Sequence, residues 1–137
     1  TGTGFLDAVV RFEAISKKGK IVWYENRGSA APEWNEHFIA AIVGPMSLDV
    51  ADMDHDGDND IVAGEHNLKH SSDAKAYVFE NVDAKGETWK PHVVYVGDEH
   101  HDGTRAVDID NDGDFDIISI GWGHDKVILY ENRATDL

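Results

Sequence analysis

The sequence predicts an all-β fold in which short antiparallel sheets repeat about every 55 residues. An acidic nine-residue segment at residues 52–60 recurs at residues 108–116. A strand-like run that ends in an aromatic residue, Glu and Asn occurs three times, at residues 22–26, 77–81 and 128–132. A third pattern, Trp-x-x-His before an apolar run, follows this run in two of the copies. The fixed order of the three patterns indicates one repeating structural unit.

Each repeat divides into four predicted strands. The first strand precedes the acidic segment, the second follows it, the third ends in aromatic-Glu-Asn, and the fourth follows the Trp. These runs are rich in Val, Ile and aromatic residues and are bounded by Gly, Asn, Asp and Pro, and no segment has sustained helical periodicity. The predicted strands are 8–13, 20–25 and 37–43, then 48–51, 60–64, 76–80 and 92–96, then 106–108, 116–120 and 127–131.

Four-stranded units of this length are typical of β-propeller blades. We expect a partial blade at residues 1–43, a full blade at 44–98 and a partial blade at 99–137, about two and a half blades in all. The chain is expected to begin inside a repeat. A propeller usually needs ~4–8 blades to close. Open sheet edges therefore predict either further blades of a larger propeller or self-association of this chain.

Each acidic segment carries five carboxylates at alternate positions, which repel one another unless a cation lies among them. Oxygen ligands favour calcium or, less well, magnesium, and the Gly of each segment allows the chain to turn around the ion. An EF-hand is not predicted, because Ala63 and Ser119 stand where that loop has Glu. Recurrence of the segment disfavours a merely solvated acidic turn. The candidate metal ligands are Asp52, Asp54, Asp56, Asp58, Asp60, Asp108, Asp110, Asp112, Asp114 and Asp116.

The pattern D-x-D-x-D-G-D-x-D before Ile-Val or Ile-Ile, with a later Tyr/Phe-Glu-Asn strand end, resembles the FG-GAP/VCBS repeat family of calcium-binding β-propellers. Integrin α-chains and secreted bacterial proteins contain such repeats. The resemblance implies two structural Ca²⁺ sites and an extracellular or cell-surface location. It also implies that positions 1, 3, 5 and 9 of each loop bind through side chains and position 7 through its carbonyl. The two implied sets are Asp52, Asp54, Asp56 and Asp60 with the Asp58 carbonyl, and Asp108, Asp110, Asp112 and Asp116 with the Asp114 carbonyl.

A degenerate third copy of the loop lies at the N-terminus. Aligning Asp7 with Asp60 places Thr1, Thr3 and Phe5 where the second copy has carboxylates. We therefore expect a turn and a strand in this copy but no calcium.

Composition restricts the partners. The net charge of −15 disfavours nucleic acid and anionic membranes. The sequence contains no run of about 18 apolar residues, so it does not predict a membrane-spanning segment. The first residues carry no signal-peptide pattern. The chain has no cysteine, so the pattern predicts no disulfide or thiolate chemistry.

The recurring Trp and His residues predict packing between blades, with sugar stacking as the alternative. They are Trp23, Trp34, Trp89, His37 and His92.

Loops opposite the acidic segments carry most of the histidines. The candidate ligand-binding residues on this face are His66, Glu99, His100, His101, Asp102, Arg105, Trp122 and His124. Three interpretations remain open: a solvated polar rim, a carbohydrate-binding surface, and an active site that uses a transition metal or general acid–base chemistry.

The predicted function is a calcium-stabilised extracellular module that presents a binding face to a polysaccharide or glycoprotein. One alternative is a polysaccharide lyase or hydrolase that uses the His-rich face, although the patterns favour a protein that is not an enzyme. Another alternative is a structural module that assembles into oligomers or filaments.

Overall fold

The computed structural model describes residues 4–28 and 33–133. Within these ranges the chain forms ten strands and one short 3₁₀ turn, Ser71–Asp73, so the predicted all-β class is confirmed. No helix within them is both long enough and apolar enough to span a membrane. The strands are β1 Ala8–Arg11, β2 Lys18–Asn26, β3 Trp34–Val43, β4 Pro45–Ala51, β5 Asp60–Glu65, β6 Ala74–Asn81, β7 Trp89–Gly97, β8 Gly103–Val107, β9 Asp116–Ile120 and β10 Val127–Tyr130.

The strands form three antiparallel sheets in chain order. The first contains β1-β2-β3, the second β4-β5-β6-β7, and the third β8-β9-β10. Each pair of sequence neighbours within a sheet is antiparallel, as short connections allow. The sheets are propeller-like blades, and none closes into a barrel.

The second sheet lies between the other two. Every residue of β5 is buried, which is why its sequence is an apolar run rather than an alternating one. Ile61 packs with Ile21 and Trp23 of the first sheet, whereas Val62, on the opposite face, packs with Ile117 of the third. The core therefore consists of two layers between stacked blades.

Trp23 joins the first sheet to the second. Its ring is 5% exposed, stacks on His37 with centroids 4.1 Å apart, and donates from Nε1 to the Gly86 carbonyl at 2.7 Å. Trp89 donates to the same carbonyl at 2.9 Å. The predicted packing between blades is confirmed for Trp23, while Trp34 is 43% exposed.

Strand boundaries differ from the expected ones where turns intervene. β1 ends at Arg11 rather than at residue 13, although Phe12 N–H still donates to Lys20 O of β2 at 2.8 Å, next to the last pair of the two strands. β4 begins at Pro45, three residues earlier than expected; a Pro is tolerated there because it is the first residue of an edge strand.

Candidate functional site

The two acidic segments form the loops β4–β5 and β8–β9, and both use one hydrogen-bond pattern. At position 1, Asp52 Oδ2 accepts from Gly57 N–H at 3.1 Å and Asp108 Oδ2 accepts from Gly113 N–H at 3.3 Å. The carboxylates at positions 3 and 5 each accept from the amide two residues later, at 2.8–3.3 Å. Each loop therefore directs its own backbone N–H groups toward its carboxylates.

Position 9 has a different role. Asp60 is 1% exposed; its Oδ2 accepts from Met53 N–H and its Oδ1 accepts from Asn81 N–H, both at 2.9 Å. Asp116 repeats this arrangement with Ile109 and Asn132 at 3.2 and 2.8 Å. These carboxylates therefore close the loop and join it to the end of the third strand of the repeat.

Several carboxylate oxygens of the loops have no partner in the described part of the chain. Asp52 Oδ1, Asp58 Oδ1 and Asp108 Oδ1 are buried and accept no hydrogen bond. Oxygens of Asp52, Asp54 and Asp60 lie within 4.8 Å of one another, as do oxygens of Asp108, Asp110 and Asp112. Clustered carboxylates with unsatisfied buried oxygens are costly without a cation. The oxygen-only donor set fits calcium.

The loop electrostatics agree with this cost. Burial, followed by the charges of Asp56 and Asp60, raises the pKa of Asp58 to about 6. Burial also raises the pKa of Asp60 and of Asp110. Each shift reports that the charged form is disfavoured when only protein surrounds the carboxylate.

Position 7 differs between the two loops. Asp114 is fully buried, and its Oδ1 lies 2.7 Å from His55 Nε2 of the preceding loop. Asp58, at the same position of the preceding loop, is half-buried, and its Oδ1 has no hydrogen-bond partner among the described residues. The His55–Asp114 contact links the two acidic loops. The sequence did not predict it, because His55 is not one of the Asp residues that repeat between the loops.

Within the described residues, the degenerate first loop keeps the position-9 contact. Asp7 Oδ1 accepts from Asn26 N–H at 2.9 Å, as its counterparts do in the other repeats. Phe5 is exposed at the position of a loop Asp. Thr1 and Thr3 lie outside the described residues.

On the opposite face, three loops meet. His66 follows β5, Glu99 and His101 lie between β7 and β8, and Trp122 and His124 lie between β9 and β10. Asn67 N–H donates to both Glu99 oxygens, at 2.9 and 3.1 Å, and His124 Nε2 donates to Glu99 O at 2.9 Å. Asp102 also contacts His101, so the structure brings together six of the eight predicted residues of this face.

Glycines permit this close approach. A Cβ on Gly121 would lie 2.0 Å from Glu99 O, and a Cβ on Gly64 would lie 2.5 Å from His100 O. Gly44, with φ +49°, approaches the His66 carbonyl in the same way. Larger residues at these positions would separate the loops.

His66, Glu99 and His101 are buried rather than solvated, at 6, 2 and 7% exposure. The two imidazole rings stack with centroids 3.8 Å apart. His101 Nδ1 lies 3.4 Å from Glu99 Oε2, and His101 Nε2 lies 3.2 Å from Asp102 Oδ1. Burial lowers the pKa of His101, which favours its neutral form. The interpretation as a solvated rim does not describe these three residues.

His100 lies away from the open surface that was expected for it, whereas Arg105 is exposed. His100 is fully buried, with Nδ1 2.9 Å from Ser119 Oγ, and burial lowers its pKa to about 4. Arg105 lies on β8 and donates from Nη1 to Leu48 O at 2.8 Å, which ties the third sheet to the second. His100 therefore has packing partners in place of a ligand.

An open pocket of about 440 Å³ lies beside the cluster. Trp122, which is 67% exposed, stands at its wall with His124, Asp98 and Glu99. Sequence reasoning missed the other polar lining residues, Ser71 and Ser72, because they belong to an insertion that is absent from the other repeats.

Stacked antiparallel blades, joined within each blade by an Asp-rich loop, define a β-propeller-type repeat module. Residues 1–63, which include the degenerate loop and the first acidic loop, match the family model of the FG-GAP-like repeat. Residues 1–63 therefore carry an FG-GAP-like repeat, which supports the resemblance drawn from the motifs. FG-GAP repeats commonly bind calcium and occur in extracellular proteins. No curated protein and no solved structure gives a significant match to the chain.

Proposed function

We propose that this chain is a calcium-stabilised β-propeller module of an extracellular protein, and that its His-rich loop face binds carbohydrate. The observation that carries the calcium assignment is the pair of buried, unpartnered oxygens at position 1, Asp52 Oδ1 and Asp108 Oδ1. The two loops have the same pattern of internal hydrogen bonds, so an ion that fits one loop fits the other. Calcium at a hundred times its Kd would stabilise the fold by about 2.7 kcal/mol.

Metal analysis and calorimetry test the two sites. We expect two calcium ions per chain in the wild type and one in Asp52→Asn or in Asp108→Asn, because each substitution removes a charged ligand from one loop. Asp125→Asn, an exposed carboxylate outside both loops, is the matched control and should keep two. Equal stoichiometry in all four proteins would refute the assignment.

The pocket beside Trp122 supports carbohydrate as the ligand class. An exposed indole offers a flat apolar surface to a sugar ring, and the carboxylates and hydroxyls at its edge can bond sugar hydroxyls. Leu68, which is 54% exposed, adds a second apolar side chain to the lining of this pocket.

The same geometry favours binding over catalysis. His124 uses both ring nitrogens, since Nε2 donates to Glu99 O and Nδ1 accepts from Lys126 N–H at 3.2 Å. His100 is fully buried. Neither imidazole therefore presents a free base to the pocket in the way that a lyase or hydrolase mechanism would require.

A glycan array followed by calorimetry on the best polysaccharide tests the ligand class. We expect Trp122→Ala to abolish binding, because it removes the stacking surface. Trp34→Ala is the control, since Trp34 is also exposed but lies in the first sheet. Absence of binding to every glycan, or equal loss in both variants, would contradict the proposal.

A further inference from the structure

We infer that His66, Glu99 and His101 form a binding site for one divalent first-row transition metal ion, separate from the acidic loops. Each residue offers one ligand atom, and these atoms lie within 4.8 Å of one another. The residues come from two connections, β5–β6 and β7–β8, which backbone contacts hold together: His100 N–H donates to Glu65 O at 3.2 Å.

His66 is the first reason for a metal. Its side chain is only 6% exposed, yet neither Nδ1 nor Nε2 has a hydrogen-bond partner among the described residues. Its backbone is fixed on both sides, since His66 N–H donates to Gly44 O and His66 O accepts from Ser16 N–H. A buried imidazole with both nitrogens unsatisfied is costly, and a metal bond satisfies one of them.

His101 is the second reason. The contact from Trp122 N–H to His101 Nδ1 is long, at 3.3 Å, and His101 Nε2 faces Asp102 Oδ1 at 3.2 Å. His101 Nδ1 also lies 3.4 Å from Glu99 Oε2. A neutral imidazole nitrogen has one lone pair, so a metal bond at Nδ1 would replace the Trp122 contact and would join Nδ1 to the Glu99 carboxylate through the cation. The Nε2–H···Asp102 bond is also the outer contact that metal-bound histidines usually make.

Glu99 supplies the charge. Its carboxylate is 2% exposed. Among the described residues, the neutral group that donates a hydrogen bond to this carboxylate is Asn67 N–H, which both oxygens share. A buried carboxylate requires a compensating positive charge or a shifted pKa. A divalent cation bound between Glu99 and the two imidazoles supplies that compensation.

The donor set selects the kind of metal. Two imidazole nitrogens and one carboxylate oxygen suit zinc and other first-row divalent ions, whereas calcium prefers oxygen ligands alone. Three protein ligands leave coordination positions for water or another ligand, and Glu99 also lines the pocket beside Trp122.

Zinc titration of the calcium-saturated protein tests the inference, because calcium keeps the acidic loops occupied. We expect one zinc ion per wild-type chain, a rise of Tm with zinc, and visible d–d absorption when cobalt replaces zinc. His66→Gln and Glu99→Gln should each weaken zinc binding at least tenfold; Glu99→Gln retains an oxygen for Asn67 N–H. His70→Gln, an exposed histidine outside the cluster, should bind zinc as the wild type does.

Asp102 provides a test of positioning. Asp102→Asn leaves all three ligands in place but weakens the acceptor of His101 Nε2–H, so we expect zinc binding about 10–100-fold weaker. Far-UV circular dichroism and calcium stoichiometry show that each variant is folded.

The inference is wrong if calcium-saturated wild type binds no more zinc than His66→Gln does, or if His70→Gln loses zinc equally. It is also wrong if NMR shows His101 protonated on both nitrogens in a form that zinc leaves unchanged, because an ion pair with Glu99 would then explain the cluster without a metal.

Discussion

One aspartate recurs with the same contact in all three repeats. Asp7, Asp60 and Asp116 each accept a hydrogen bond from the amide of the Asn at the end of the third strand of the repeat, or two residues past it in the case of Asn132, at 2.8–2.9 Å. The contact persists in the first repeat, where the other loop carboxylates are absent. Position 9 is therefore a structural element of the repeat that exists independently of the metal.

His100 predicts a specific dependence of stability on pH. Its pKa is lowered from 6.5 to about 4, chiefly by burial; the charge of Asp98 acts in the opposite direction and that of His124 in the same one. Ser119, Tyr95 and Tyr130 surround the ring. Since the unfolded chain binds the proton more readily, the contribution of His100 is complete above about pH 6.5 and is lost as the pH falls toward 4. The loss approaches about 3 kcal/mol.

Urea unfolding in a chelator between pH 7 and pH 4 measures this contribution. The difference in unfolding free energy between wild type and His100→Gln should shrink as the pH falls, because the Gln side chain does not titrate. The comparison with a variant is needed because Asp58, with its raised pKa, acts in the opposite direction. His70→Gln serves as the control, and a constant difference across the range would contradict the assigned pKa.

The acidic loop combines two kinds of carboxylate. Position 1 leaves one oxygen without a partner among the described residues, which a bound cation would satisfy, while position 9 uses both oxygens on backbone amides. The left-handed backbone at position 4, with φ 61° at His55 and 63° at Asn111, and at the Gly of position 6, turns the amides inward in both loops. Measurements of stability with and without calcium should therefore distinguish the two kinds of carboxylate.

Asp52→Asn and Asp60→Asn test that separation. In a chelator, Asp60→Asn should cost about 1–3 kcal/mol, because an amide NH₂ would replace an acceptor that faces a buried N–H. Asp52→Asn should cost little or stabilise, because it removes repulsion among the loop carboxylates. In calcium, both variants should be less stable than the wild type. Denaturant unfolding under the two conditions checks this, and equal losses in the chelator would contradict it.

The repeat period predicted the strands and loops, because each element carries its own local signal. The predicted edges of the strands were less accurate at Phe12 and Pro45, because the apolar pattern of a strand does not mark the residue at which it begins or ends. The clustering of His66 with Glu99 could be expected only as a shared face, since the contact depends on how closely Gly64 and Gly121 let two connections approach. The ring of His100 contacts Tyr95 of β7 and Tyr130 of β10, an arrangement that depends on how the second and third sheets pack.

At the scale of the molecule, stability depends on how blades stack. The second sheet has both faces covered, and the Trp23–Gly86 contact fixes the first sheet against it. Gly86 has φ +73°, and a Cβ there would lie 2.9 Å from the Trp23 ring. The turn before β7 therefore requires glycine both for its backbone and for the indole.

Trp23→Phe should destabilise the protein by about 1 kcal/mol, because it removes a buried donor while it keeps an aromatic ring. Gly86→Ala should cost more, since it adds strain at a positive φ as well as the contact with Trp23. Trp34→Phe is the matched control and should change stability little, because Trp34 is exposed. Urea unfolding in calcium gives the three values, and a Trp34→Phe loss equal to that of Trp23→Phe would refute this account.

The third sheet predicts association through its outer face. Val127 and Leu129, two residues apart on β10, are 69 and 48% exposed, and β10 is an edge strand with unpaired backbone groups in the described part of the chain. The strands of the second sheet also follow chain order, but both faces of that sheet are covered by neighbouring blades. The occupant that fits is another blade-like sheet, and in a solution of this chain we expect a second copy to supply it.

Sedimentation velocity in calcium at rising concentration tests this association. The wild type should form larger species, more so at higher salt, because the net charge of −15 opposes contact between copies. Leu129→Lys should keep the chain monomeric, because it places a charge on the outer face of β10. Val82→Lys, at a residue 50% exposed in the β6–β7 loop, should associate as the wild type does. A wild type that stays monomeric at every concentration and salt would show that the outer face of β10 does not bind a second copy.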